Sequence, residues 1–174
     1  MEKVLMLHSS REGQTIKILR QIEQELGSEF QCDILDIHQL PEINFTQYSK
    51  VLLGASVRYG HLNKKLYQFI AHHQVQLEAQ KVAFYCVNLT ARKTGKDTPE
   101  TSVYMQKFLQ KSPWCPDLLE VFAGALRYPR YNWFDRTMIR FIMRMTGGET
   151  DTTKEVEYTD WKRVSAFSEA FKQL

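Results

Sequence analysis

Two seven-residue stretches constrain the fold more than any other feature of the chain: KVLLGAS (50–56) and KVAFYCV (81–87) are apolar on both faces. A strand with one wet face alternates apolar and polar residues, whereas a short continuous apolar run suits a strand covered on both sides. Comparable β-rich runs occur at 4–7, 32–37, 51–57, 82–89 and 118–126. Between them lie stretches with helical spacing at 15–26, 62–77 and 102–109, and a last one closes the chain at 161–171. Strand and helix therefore alternate, which predicts a parallel sheet with helices on both faces, a doubly wound α/β domain. Thr159 is the expected N-cap of the last helix, with Asp160 favourable in its first turn.

A chain of 174 residues with 43% hydrophobic content can bury one substantial core, and neither a linker nor an internal repeat divides it. A single domain over 1–174 is expected, with an insertion at about 127–148 after the fifth strand. Five strands favour a flavodoxin-like order over a full dinucleotide fold, and the Gly-x-Gly-x-x-Gly fingerprint is missing after the first strand. Cys32, Cys86 and Cys115 are odd in number and form no Cys-x-x-Cys pair, so they read as buried thiols in a reducing compartment, not as a disulfide framework or a metal site. No secretory signal or membrane-spanning run is evident, which predicts a cytoplasmic protein whose membrane contact is at most peripheral.

In a doubly wound sheet, ligands bind beyond the carboxyl ends of the strands. Three segments fall there. HSSREGQT (8–15) joins the first strand to a helix: its backbone amides and the helix N-terminus attract an anion, Gly13 permits close approach, and Ser10 and Thr15 can donate. An ordinary capped turn explains the same residues. GASVRYGH (54–61) and VNLTARK (87–93) are the segments that would flank a flavin ring, with Tyr59 stacking on one face and Asn88 bonding the polar edge. Arg58, Arg92 and Lys93 can serve an anionic ligand or be solvated surface charges. His61 is a candidate for proton transfer, although a lone histidine in a loop is as well explained by a packed or solvent-facing ring.

The segment 127–144 holds five arginines (Arg127, Arg130, Arg136, Arg140, Arg144) and one acid, Asp135, so its charge of +4 exceeds the +3 of the whole chain. On a helix, Phe134, Met138, Phe141, Ile142 and Met145 share one side, widened by Ile139 and Met143, and Arg136, Arg140 and Arg144 form a stripe opposite. Tyr128, Tyr131 and Trp133 crowd its entrance. Such a helix can lie in an anionic lipid surface, or pack on its own domain with the arginines in water.

Together HSSREGQT, GASVRYGH, VNLTARK with TPETS, the block AGALRYPRYNWFDRTMIRFIMRMTGGETDT (123–152) and YTDW resemble the flavodoxin-like, quinone-dependent protoporphyrinogen oxidases of bacterial haem synthesis. The long block is the most specific part. The resemblance implies an FMN enzyme that oxidises protoporphyrinogen IX to protoporphyrin IX and passes electrons to menaquinone or ubiquinone at the cytoplasmic face of the inner membrane, with no nucleic-acid partner. It implies a phosphate loop of Ser10, Arg11, Glu12, Gly13 and Gln14, with Thr15 just beyond. Further flavin contacts would fall within 84–152: Phe84, Asn88, Leu89, Thr90, Ala91 and Arg92, then Gly148 and Thr152 of the GGETDT turn. Glu12 stands where flavodoxins have a hydroxyl residue, and a carboxylate there must point away from the phosphate or pair with Arg11. Other readings are an electron-carrier flavodoxin, which a pI of 8.7 opposes, a nicotinamide-quinone reductase, and an interaction protein without flavin.

Overall fold

The computed structural model describes residues 1–10 and 12–174, so Arg11 lies outside the described residues. Five apolar runs form strands β1 (Glu2–Ser9), β2 (Phe30–Asp36), β3 (Lys50–Ser56), β4 (Lys81–Asn88) and β5 (Leu118–Ala123). They pair in parallel in the order β2-β1-β3-β4-β5. The apolar character of both faces follows from the two-residue period of a strand. Leu5, Leu7, Val51, Leu53, Phe84 and Cys86 point to one side, where α2 (Lys64–His72), α3 (Gln74–Glu78) and α4 (Val103–Lys111) cover them with Leu66, Phe69, Leu77 and Phe108. Val4, Met6, Leu52, Ala83 and Tyr85 point to the other side, under α1 (Gln14–Leu26) and α6 (Trp161–Lys172), through Ile18, Ile22, Val164 and Phe167. The sheet buries the whole of β3 except Ser56, so no polar outer face is needed there.

The structure departs from the sequence pattern in four places. The run 118–126 is broken at Gly124: β5 stops at Ala123, and β6 (Ala125–Arg127) leaves the sheet to pair antiparallel with β7 (Glu155–Glu157). Gly124 keeps its amide on Asn88 O (3.2 Å) while its carbonyl accepts from Tyr158 (3.0 Å), so one residue serves both sheets. The stretch 62–77 is two helices, because His73 takes ψ 20° after its amide closes α2 on Phe69 O, and Leu62 precedes the Asn63 cap. The last helix is capped by Asp160, whose carboxylate accepts from the amides of Lys162 and Arg163. Thr159 is not the cap: its buried hydroxyl donates to Ala123 O (2.7 Å) and accepts from Gln14 Nε2 (2.9 Å), bridging β5 to the start of α1. Finally, all three thiols are free, but only Cys86 is buried, whereas Cys32 is half-buried and Cys115 exposed.

Helix α5 (Trp133–Met145) starts at Asn132, whose side chain accepts from the Asp135 amide (2.8 Å). It packs on the rest of the chain through Ile139 and Met143, against Leu126, Tyr128 and Tyr131.

Candidate active site

The carboxyl ends of β1, β3 and β4 open into a cleft of about 400 Å³, roofed by α5. Its position follows from the topology: chains leave β1 and β3 in opposite directions around the sheet, and their loops cannot fill the gap.

One end of the cleft is the β1–α1 loop. Gly13 takes φ +86° at the helix start, a left-handed conformation in which any side chain would be strained. Its amide donates to Ser10 Oγ (3.2 Å). The first internal bond of α1 runs from the Lys17 amide to Gly13 O (2.9 Å), so the amides of the preceding turn are left facing the loop. Beside them the hydroxyl Oγ1 of Thr15 is buried and has no hydrogen-bond partner among the described residues. A buried orphan hydroxyl at a helix N-terminus, on the wall of a cleft, fits an anionic group such as a phosphate ester. Arg127 reaches across from β6 to hold this loop, donating to Glu12 O (2.9 Å) and to Gln14 Oε1 (2.7 Å).

Glu12 points away from that cradle. Its carboxylate accepts from Arg58 Nη1 (3.2 Å) and from the Tyr131 hydroxyl (3.3 Å). Of the two expectations for Glu12, pointing away from the phosphate or pairing with Arg11, the first holds, with Arg58 as its partner; Arg11 lies outside the described residues. Burial pushes the Glu12 carboxyl above its ordinary value, against the opposing pull of Arg58 and the Tyr131 bond. Arg58 also binds Asp135 of α5 through Nη2, and the Tyr59 hydroxyl donates to the other Asp135 oxygen. Burial and the Asp135 carboxylate hold the Tyr59 phenol above its usual value. The turn that presents Arg58 and Tyr59 is tight: Arg58 and His61 exchange both backbone bonds, with Tyr59 at φ 48° and Gly60 at φ 79°. Positive φ at both central residues is the geometry of a type I′ turn, for which tyrosine is an unusual choice. The Asp135 bond over-determines it.

Helix α5 supplies the opposite wall with Met138, Ile139, Ile142 and Met143, continued by its C-cap Thr146. Its far end is held by Arg92, which donates to Leu89 O (2.8 Å) on one side and to Thr146 Oγ1 (2.9 Å) on the other. The helix is therefore fastened at both ends, by Asp135 and by Thr146, while most of its apolar side is uncovered. Phe134 is 58% exposed, Phe141 59% and Met145 72%, and Trp133 beside them is 79% exposed. The packed alternative, in which the domain covers this side, holds only for the sector of Ile139 and Met143.

Of the expected ligand contacts, Ser10, Glu12, Gln14, Thr15, Arg58 and Tyr59 line the cleft, as do Asn88, Leu89, Thr90 and Arg92. Asn88 spends its side-chain oxygen on the Ala91 amide (2.9 Å) and keeps its nitrogen, 3.8 Å from Cys86 Sγ, as a donor, whereas Arg92 is a strut between two backbone segments and not a free polar group for a ligand edge. Phe84 must be withdrawn: its ring is fully buried on the α4 side of the sheet, stacked on Phe108 at 4.2 Å. Ala91 is buried in the same core cluster. Gly148 lies beneath Met143 and Arg92, where a Cβ would collide with the Met143 thioether. Gly13 shapes the loop without lining the cleft, Thr152 and Lys93 lie off it, and His61 lines a neighbouring cleft. Asp135, Tyr104 and the pairing role of Tyr131 were not singled out from sequence; a lone acid in an arginine-rich segment was the available signal for Asp135. Among the arginines expected on an outer surface, Arg127 is bound to the loop, Arg130 pairs with Glu155 (2.8 Å), and Arg136 donates to Tyr128 O and Tyr131 O. Arg140 and Arg144 make no hydrogen bond or ion pair among the described residues. None of the described helices is long and apolar enough to cross a membrane.

Residues 5–153 match the flavodoxin domain family. The chain is 49% identical over 99% of its length to a Leishmania major protein named protoporphyrinogen IX dehydrogenase [quinone], covering 75% of that protein. It is 47% identical, again over 99% of its length, to a protein of the same name from Escherichia coli, covering 96% of it. In fold it is similar to oxidised flavodoxin 1 from Bacillus cereus, with a TM-score of 0.54 at 14% identity, covering 99% of this chain and 98% of that one. An apo NADH:FMN oxidoreductase superposes with a TM-score of 0.56 at 8% identity over 99% of this chain and 89% of that one. A parallel sheet with an anion cradle after β1, a domain match across most of the chain and near-full-length identity approaching one half lead to one conclusion: the chain belongs to the flavodoxin domain family, within the group of the protoporphyrinogen IX dehydrogenases [quinone].

Proposed function

We propose that the chain oxidises protoporphyrinogen IX to protoporphyrin IX with FMN as cofactor, and passes the electrons to menaquinone or ubiquinone. The observation that carries this reading is the pairing, in one cleft, of a phosphate-type cradle with an apolar helical wall. The first suits a flavin nucleotide and the second a hydrophobic substrate. Likeness over 99% of the chain to curated relatives of that name supports it.

The residues fit FMN at the phosphate end, where Ser10, the Thr15 hydroxyl and the first amides of α1 would hold the ester. Bound FMN supplies the redox chemistry, accepting a hydride equivalent and being reoxidised by quinone. The chain's own contribution is to bind and orient. Tyr59 and the Asn88–Thr90 backbone flank the space for a ring. Met138, Ile139 and Ile142 exclude water from it. The Arg58–Asp135–Tyr59 network holds the turn that carries Tyr59 at a fixed height over the cleft. Purified protein should be yellow, be bleached anaerobically by protoporphyrinogen IX, and recover colour on adding menaquinone. Efficient bleaching by a reduced nicotinamide nucleotide, with porphyrinogen inert, would replace this reading by that of a nicotinamide-quinone reductase.

The same reading puts the enzyme at the cytoplasmic face of the membrane, attached peripherally through α5. Support comes from the exposed Trp133, Phe134, Phe141 and Met145 beside Arg140 and Arg144, which have no ion pair among the described residues. Each arginine near an anionic surface contributes about 1 kcal/mol, so two give weak attachment that burial of the aromatic rings must supplement. Changing Arg140 and Arg144 to Glu should release the protein from vesicles containing anionic lipid while FMN content stays normal. Unchanged vesicle binding would remove the membrane role.

A further inference from the structure

Next to the main cleft lies a second one of about 320 Å³, between α4 and the turn that follows β3. Gly60 and Tyr104 belong to both walls, so the two clefts meet at one ridge. The character changes across it. The main cleft is roofed by methionine and isoleucine, whereas the second carries His61, Lys107 and Lys111 with the ring of Tyr67, and no carboxylate lines it. Lys111 Nζ sits 5.1 Å above the Tyr67 ring. Lys107 has neither a hydrogen bond nor an ion pair among the described residues.

Space gives the second argument. A cavity of about 400 Å³ is at the low end of the volume that one drug-sized ligand occupies. It cannot enclose a flavin and a tetrapyrrole together, so a tetrapyrrole stacked against the ring must extend out of it. Toward α5 the way is apolar. Over the Gly60–Tyr104 ridge it is cationic. A porphyrinogen is itself divided in this manner, with an apolar macrocycle and propionate side chains along one edge.

Taking the functional reading above as its basis, we infer that the second cleft is the carboxylate subsite: Lys107 and Lys111 receive the substrate's propionates while the macrocycle crosses the Gly60–Tyr104 ridge into the main cleft. Quinone, which has no carboxylate, does not use it. The subsite thereby sets which edge of the tetrapyrrole faces the flavin.

Equilibrium titration of the FMN-loaded protein with protoporphyrin IX and with its dimethyl ester, followed by porphyrin fluorescence, tests this without turnover. The wild type should bind the diacid about tenfold more tightly than the ester, a preference that salt weakens. The variant Lys107→Glu/Lys111→Glu should lose that preference, with ester affinity, FMN content and the KM for quinone unchanged. Both side chains are exposed, so folding is not at stake; Lys107→Gln/Lys111→Gln should fall between. An undiminished diacid preference in the Glu variant overturns the subsite. If the wild type oxidises protoporphyrinogen and the variant's KM for it is unchanged, the subsite alone falls. If the wild type neither binds the diacid nor is reduced by protoporphyrinogen, the functional reading falls with it.

Discussion

Single atoms decide both the ligand chemistry and the tolerance of the sheet. The Thr15 hydroxyl is buried with no partner among the described residues, a costly arrangement unless a ligand completes it. Thr15→Val keeps the shape and removes the donor; it should leave the melting temperature nearly unchanged and weaken FMN by about tenfold, the worth of one hydrogen bond to a charged group. Fluorescence titration of apoprotein with FMN measures it. In the sheet, Gly54 has no side chain because the Tyr85 ring of the adjacent strand fills that space, and the Tyr85 hydroxyl donates to Thr15 O (2.8 Å) just below the cradle. Gly54→Ala would force the buried ring aside and break that bond. It should cost about 2–3 kcal/mol in denaturant unfolding, in the range of overpacked cores, and weaken FMN as well, whereas an alanine at Gly95, strained by its φ of +81° but in open space, should cost stability without weakening FMN.

At the scale of elements, α5 behaves as a roof pinned at its ends. Asp135 receives Arg58, Tyr59 and Asn132, and its removal would leave the Arg58 guanidinium without its main counter-charge. Losing one partner of a fully buried pair costs about 3–5 kcal/mol; with the Arg58 side chain 24% exposed, about 2 kcal/mol is the expectation for Asp135→Ala. Most of that loss should appear as local opening of α5, read as faster amide exchange over 133–145 while the sheet stays protected. Equal loss of protection in the sheet would mean that α5 unfolds only with the rest of the molecule. The other pin, Arg92 on Thr146, predicts the same pattern from Arg92→Met at the opposite end of the helix.

Across the whole molecule, the β6–β7 ribbon and α6 are joined to α1 by charges that acid should release. Burial alone would raise the Glu157 carboxyl, but hydrogen bonds from Lys17, Trp161 and Gln14 together with the Lys17 charge outweigh it and leave its value lowered. A carboxyl lowered by folding stabilises the folded state above its ordinary value, and that stability is lost as pH falls through the lowered one. Glu12 and Glu120, both raised chiefly by burial, act in the opposite sense: their contribution is present below the ordinary carboxylate value and fades as pH rises through the raised one. Glu157→Gln should therefore lower the melting temperature at neutral and alkaline pH, where the ionised carboxylate contributes, and flatten its decline on the acid side. An unchanged acid limb would assign acid unfolding to other carboxylates.

What the sequence determined by itself is what local periodicity encodes. The doubly apolar runs required helices on both faces of a parallel sheet, and a parallel sheet opens its ligand edge where its strands end; the loops at 8–15, 54–61 and 87–93 were located by that alone. The two-sided character of α5, apolar against arginine, was legible for the same reason. Pairings across long separations were not. Glu12 meets Arg58 from 46 residues away and Arg58 meets Asp135 from 77, and no pattern along the chain distinguishes these partners from the other charges. Arg127 and Arg92 likewise looked like surface or ligand-binding cations and are struts, because a guanidinium near several backbone carbonyls gains more from them than from water. Which sector of α5 is covered, and that Phe84 lies under α4 instead of facing a ligand, depended on how the elements stack. Burial within an element is a one-dimensional signal, whereas the partner of a charge is set by loop geometry in three dimensions.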